Sequence, residues 1–261
     1  QIALSNIIVQ KLNDESMIRH MILNSIRMYN KKYRDQYGQM VICADGMNTW
    51  RKDYFPLYKA HRRKHREESD QDWNEIFRIL HLVRDEIKEN LPYKVLHMDG
   101  VEADDIIGSL VMYTQDFGND EPIMIVSSDK DFIQLQKFNN VKQFSPIQKK
   151  MVTDENPRTY AFNHIMRGDG GDGIPNVLSA DDTFVTDKSQ TPLRQARINE
   201  WLENSDNLKE VMDENTFRNY QRNKKLIDLT EIPEEIQESI INNYVEQPIA
   251  MRMKVLNYLI K

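Results

Sequence analysis

Two spacings of apolar residues alternate along the chain, one fitting strands and the other helices. Ile123-Met124-Ile125-Val126 is an unbroken run of β-formers and predicts a strand buried on both faces of a parallel sheet. Shorter runs at 40–44 and 93–98 predict two further strands, 141–144 a short edge strand, and 2–9 is also apolar. Helical spacing places Ile18, Met21, Ile22, Ile26 and Tyr29 on one face behind Asn13 or Asp14 as cap, with polar 31–39 and Gly38 ending that helix. Trp73, Ile76, Phe77, Leu80, Val83 and Ile87 mark an amphipathic helix over 72–90 that Pro92 stops. Another helix opens at 102–105 and runs through Ile106, Ile107, Leu110 and Val111, and Phe132-Ile133-Gln134-Leu135 is helix-like. Beyond an irregular polar stretch at 180–189, helices are expected at 193–202, about 208–223, 234–244 and 251–260. Strands alternating with helices predict an α/β fold with a mostly parallel central sheet. The chain divides into an α/β part at 1–150 and a helical part at 151–261.

Composition agrees with a packed domain: of 261 residues, 39% are hydrophobic and 29% charged. No apolar run has the length of a membrane span. The opening Gln1-Ile2-Ala3-Leu4 has no basic region and is read as the inside of an element, not a signal peptide. The single cysteine, Cys43, lies in an apolar run, so packing is expected of it, and a reducing, cytoplasmic setting fits. The net charge of −6 conceals a segregation. Arg51, Lys52, Lys59, Arg62, Arg63, Lys64 and Arg66 face only Asp53, giving +6 over 51–66 and leaving −12 for the remainder. Such a run is ordinarily a solvated face. Next to an acidic cleft it would draw in phosphates, which assigns Arg51, Lys52, Arg63, Lys64, Arg66 and Tyr58 to nucleic acid. Tyr54, Phe55 and Tyr58 could stack on unpaired bases or pack the segment onto the sheet.

The candidate chemistry is acidic. Asp129 and Asp131 follow the 123–126 strand, Asp45 follows 40–44, Glu102, Asp104 and Asp105 open a helix, and Asp169 and Asp172 sit in a loop with four glycines between Gly168 and Gly173. One acid at such a position is more often a cap or a turn residue. Four groups, each at a strand end or turn, favour hard divalent ions with oxygen ligands, Mg2+ or Mn2+. Two such ions about 3.5–4 Å apart can activate water and neutralise the leaving oxygen of a phosphodiester. His20, His61, His65, His81, His97 and His164 are scattered and make no zinc set.

Val101-Glu102-Ala103-Asp104-Asp105, Ser127-Ser128-Asp129-Lys130-Asp131 and Gly168-Asp169-Gly170-Gly171-Asp172-Gly173-Ile174-Pro175, in that order, resemble the 5′ nuclease superfamily. Trp50-Arg51-Lys52-Asp53-Tyr54, Arg66-Glu67-Glu68-Ser69, Asp72-Trp73, 140–146 and Leu226-Ile227-Asp228 are most similar to its T4-type phage ribonuclease H branch. The resemblance implies a PIN-like nuclease domain, a basic arch-like segment over 50–70, and a helix–three-turn–helix-like element in the C-terminal part that grips duplex. It implies two Mg2+ ions, with Mn2+ as a substitute. Asp45, Glu102, Asp104, Asp129 and Asp131 would serve the first ion, Asp169 and Asp172 the second, and Asp105 the outer shell. Lys59 and Arg62 would approach the scissile phosphate. The substrates implied are RNA–DNA hybrids and nicked or 5′-flapped duplex, cut by a monomer that removes primers in the host cytoplasm. A single-strand-binding protein and a sliding clamp are implied partners. A further aspartate is implied on a strand upstream of Gln1, and 176–181 replaces the usual lysine-containing turn, which would alter the grip on duplex. The rival readings are a haloacid-dehalogenase-type Mg2+ phosphatase, in which the 102–105 cluster has no role, and a non-catalytic junction-binding protein.

Overall fold

The computed structural model describes residues 14–69, 71–116, 120–186 and 188–249, with Val255 and Tyr258. The apolar stretch at 2–9 lies outside the described residues, as does 251–260 apart from those two. Asp14 caps α1 (Glu15–Tyr37), accepting from the Met17 amide at 2.7 Å. The helix therefore runs through the polar stretch that was expected to end it and stops at Gly38, whose φ is 74°. Strand β1 (Val41–Ala44) pairs in parallel with β2 (Lys94–His97). Between them lie α2 (Trp50–Tyr54), α3 (His61–Glu67) and α4 (Trp73–Asn90), the last capped by Asp72 as its pattern predicts. Ile76, Ile79, Val83 and Ile87 of α4 bury themselves against Ile18 of α1 and Val95 of β2.

α5 (Ala103–Gln115) leads to β3 (Ile123–Val126), a 3-10 helix (Lys130–Lys137), β4 (Val141–Ser145) and β5 (Lys150–Val152). β3 and β4 are parallel and β4 and β5 antiparallel, so two of the three pairings are parallel. The strand expected at the edge is thus the middle of its sheet, because β5 covers its far side. Among the described residues the strands form two sheets, and a cleft of about 410 Å³ runs between β1 and β3, walled by α1 and α5. Among the described residues only Ile125 of β3 is fully enclosed, where the sequence suggests a strand buried on both faces. Cys43 also lines the cleft, and burial pushes its thiol up to about 12, consistent with a packing role.

The C-terminal half is helical: α6 (Pro157–Arg167), α7 (Gln195–Glu203), α8 (Leu208–Val211), α9 (Glu214–Ile227) and α10 (Glu234–Glu246). Successive turns at 170–173, 177–178 and 181–186 separate α6 from α7. The sequence division at 150 falls in β5, and buried clusters cross it: Leu229 and Ile232 pack with Val111 and Ile125, Leu226 and Ile227 with Phe55 and Tyr58.

One glycine fixes the approach of β1 to α5. A Cβ on Gly46 would lie 1.7 Å from the Met98 carbonyl oxygen, and the Gly46 amide donates to Val101 O at 2.8 Å. Any side chain there must push β1 off the α5 entry. Gly46→Ala is expected to cost roughly 2–3 kcal/mol of stability, read from urea unfolding, and an unchanged midpoint would contradict this contact.

Candidate metal centre

The acidic groups converge because each sits at an element end that faces the same side. Asp45, just past β1, accepts from the Ala103 amide at 2.8 Å, which ties it to the first turn of α5. Glu102 is the N-cap of α5, and Asp104 and Asp105 fill its first turn, where the helix dipole favours negative charge. Asp129 caps the 3-10 helix, accepting from the Asp131 amide at 3.2 Å. Asp169 and Asp172 are held by a turn after α6: Asp169 Oδ1 accepts from the Asp172 amide at 3.1 Å, and Asp169 pairs with Ile174. Gly168 makes that turn possible. Its φ is 67°, and a Cβ there would meet the Ile174 carbonyl oxygen at 2.2 Å.

The electrostatics show the crowding. Burial, then the charges of Asp129, Asp131 and Asp45, raise the Asp104 carboxyl well above the usual carboxylate range. Burial pushes Asp131 up to about 7, with Asp129, Asp169 and Asp172 adding to it and His164 opposing. Buried carboxylates that cannot all ionise together in the apoprotein fit a divalent cation, whose charge would reverse both effects. The donor set, oxygens almost throughout, fits a hard ion. Asp105 is placed differently. It is 0% exposed, bridges to Arg51 at 2.7 Å, and accepts from the Glu102 amide at 2.9 Å and Trp50 Nε1 at 3.2 Å. Its oxygens support the α5 entry behind the centre.

The basic segment divides into an inner and an outer part. Two residues assigned to nucleic acid lie inside the protein. Arg51 is 3% exposed, reaching Glu102 at 2.9 Å and Leu226 O at 2.9 Å. Tyr58 is also buried, its hydroxyl lying 2.9 Å from Glu102 Oε2 and 2.8 Å from Asp172 Oδ2 with one proton to donate between them. Desolvation is the reason they turn inward: the buried carboxylates need donors, and Arg51 and Tyr58 supply them together with Lys59. Of the three candidate stacking aromatics, Phe55 and Tyr58 pack inside and Tyr54 stays exposed.

Lys59 and Arg62 lie across the acids. Lys59 Nζ stands 2.5 Å from Glu102 Oε1 and 3.6 Å from Asp172 Oδ2. Burial alone would depress its ammonium, but Asp172 and Glu102 outweigh that and hold it above its ordinary value. Its backbone adopts φ 58°, and its amide donates to Asp172 O at 2.8 Å. Arg62 pairs with Asp172 and donates from Nε to Gly171 O at 2.9 Å. Lys52, Arg63 and Arg66 are exposed, Arg63 paired with Glu67 at 2.8 Å, and the Lys64 side chain lies outside the described residues.

A histidine that the sequence reading set aside enters the site. His164, on α6, has Nδ1 3.3 Å from Asp131 Oδ1 and Nε2 3.4 Å from Asp169 Oδ2. Burial would lower its basicity, but its pairing with Asp169 and the Asp131 charge raise it above the ordinary imidazole value. Its place three residues before Arg167-Gly168-Asp169, on the last turns of an uncalled helix, was the only available signal. Behind the loop, α9 fastens the turn that replaces the lysine-containing one. Asn219 donates to Val177 O at 2.9 Å and Ser179 O at 3.2 Å, and Arg222 and Asn223 to Pro175 O at 2.8 and 2.9 Å.

Residues 8–162 match the 5′-3′ exonuclease N-terminal resolvase-like domain, and residues 156–261 the T4 RNase H C-terminal domain. The ribonuclease H of Enterobacteria phage T4 is 37% identical over 273 residues, covering 100% of this chain and 89% of that protein. A 5′-3′ exonuclease of Buchnera aphidicola (from Schizaphis graminum) is 29% identical, over 63% of this chain and 56% of its own length. Among solved structures, a phage T5 5′-exonuclease with bound zinc superposes with a TM-score of 0.61 at 17% identity, covering 88% of this chain and 90% of that one. A T5 flap endonuclease complexed with DNA and metal ions gives 0.60 at 18% identity, covering 97% and 94%. These two share the fold. The family match spans Asp129 and Asp131 and leaves the phosphatase reading without support. The chain belongs to the 5′-3′ exonuclease family, in the branch of the phage T4 ribonuclease H, and is a phosphodiester-cleaving nuclease.

Proposed function

We propose that the protein removes RNA primers and flaps during phage replication. It would hydrolyse RNA–DNA hybrids and 5′-ended or flapped duplex from the 5′ side, using two Mg2+ ions. The observation that carries this is the junction of acids from four separate turns with Lys59 and Arg62 lying over them. In this reading Asp45, Glu102, Asp104, Asp129 and Asp131 serve one ion and Asp169 and Asp172 the other, with Asp105 behind them. The ions would supply an activated water and charge neutralisation at the leaving oxygen. Lys59 and Arg62 would release Glu102 and Asp172 when metal arrives and turn to the phosphate, offsetting charge that develops there. The exposed Lys52, Arg63 and Arg66 would draw the polyanion in, so binding should weaken as salt rises.

The test is cleavage of 5′-labelled RNA–DNA hybrid and 5′-flap DNA with Mg2+ and with chelator. Short products released from the 5′ end only with metal are expected. Tight binding of both substrates without any cleavage would favour the junction-binding reading instead. Lys59→Ala is expected to slow the single-turnover rate about 100-fold while metal still binds, and an unchanged rate would remove Lys59 from the chemistry.

A further inference from the structure

His164 approaches the acidic centre from α6, outside every acidic motif. Each ring nitrogen faces a different carboxylate, Asp131 at 3.3 Å and Asp169 at 3.4 Å, and the side chain is 16% exposed. These spacings are longer than the roughly 2.7–2.9 Å of a charge-assisted hydrogen bond. An ion takes an imidazole through one nitrogen only, and the other ring nitrogen would then be oriented by the carboxylate it faces. Donor atoms of Asp131, His164 and Asp169 all fall within 4.8 Å of one another. The ring is held in place: Tyr160 lies against it at 6.1 Å, and Asn223 anchors α6 one residue on by donating to Ile165 O at 2.8 Å.

We propose that the His164 imidazole is a metal ligand of this centre, joining Asp131 and Asp169. It rests on the reading of the acidic cluster as a metal site and names its ion class. A nitrogen among carboxylates shifts preference from Mg2+ toward first-row transition ions, Mn2+ and more strongly Co2+ and Zn2+, because imidazole binds these better than it binds Mg2+. Metal choice at this site is then set partly by α6, an element that the acidic motifs do not include. Asp131 would be shared between the ion that His164 reaches and its neighbour.

The test is pulsed electron paramagnetic resonance of Mn2+ bound to the intact protein, with calorimetric competition between Mn2+ and Mg2+. Nitrogen modulation from a coordinated imidazole is expected in the wild type and in His61→Gln, and is expected to vanish in His164→Gln. The Mn2+ to Mg2+ affinity ratio should fall about tenfold or more in His164→Gln. Bound Mn2+ with no nitrogen coupling in the wild type would overturn the proposal and leave the carboxylate site standing, as would a signal lost in His61→Gln but kept in His164→Gln. No Mn2+ binding by the wild type would overturn the metal centre itself. The wild-type spectrum decides the matter even if a variant fails to fold.

Discussion

Asp131→Asn is expected to lower single-turnover cleavage of a 5′-labelled RNA–DNA hybrid by at least about a thousandfold, some 4 kcal/mol of barrier at 1.36 kcal/mol per decade. Affinity for the duplex should stay nearly unchanged. The carboxylate lies among Asp129, Asp169 and Asp172, and burial with their charges pushes it up to about 7. An amide keeps its shape and removes the charge that a cation would meet. The same substitution carries a stability signature of opposite direction. A carboxyl whose native pKa is raised holds its proton in the folded state after the unfolded chain has lost it, so stability falls as pH rises from about 4 to about 7. Asparagine removes that fall. Metal-free Asp131→Asn should therefore melt above the wild type at pH 8 and converge with it near pH 4. Mg2+-dependent cleavage within tenfold of the wild type would sink the assignment of Asp131. A variant that melts lower at pH 8 would sink the account of its charge.

The acids were legible because each stands where a regular element meets a turn, which shows as a β-run before Asp45 and Asp129 and as clustered glycines around Asp169 and Asp172. The surroundings were less so, for identifiable reasons. The polar stretch after Lys31 hides aromatic spacing: Tyr29, Tyr33 and Tyr37 follow at every fourth residue, with ring centroids 6.4 and 6.0 Å apart, and Tyr29 and Tyr33 cover Phe144. Tertiary contact therefore extends α1 where local polarity predicts a stop. β5 is three residues long and carries Lys150, too little pattern to register, and without it β4 reads as an edge. Helix α6 did carry its start signal, Asn156 as cap accepting from the Thr159 amide at 3.1 Å and Pro157 at the first position. Missing that helix also hid His164. Among the basic residues no local rule distinguishes those that turn inward, because the choice depends on which buried carboxylates lie nearby once the chain has folded.

Arg51→Ala is expected to destabilise the protein by about 3–5 kcal/mol, the cost of stranding one member of a buried ion pair. Nη1 of Arg51 lies 2.9 Å from Glu102 Oε2 and 2.7 Å from Asp105 Oδ1, Nε donates to Leu226 O at 2.9 Å, and the guanidinium stacks on Trp50 at 4.6 Å. One side chain thus ties the N-terminus of α5 to the C-terminal end of α9 and neutralises two carboxylates that water does not reach. Its pKa is raised because the charges of Asp105 and Glu102 overcome the desolvation that opposes it. Arg51→Lys keeps the charge without the planar fork and should recover only part of the loss, since one ammonium cannot serve Glu102, Asp105 and the Leu226 carbonyl at once. Urea unfolding of the two variants measures both effects. The alternative, that Arg51 holds a phosphate, predicts a different pair of results: wild-type stability for Arg51→Ala, with weaker duplex binding and a shallower dependence on salt. The burial of this guanidinium requires the first outcome, and the second would place Arg51 back on the nucleic-acid surface.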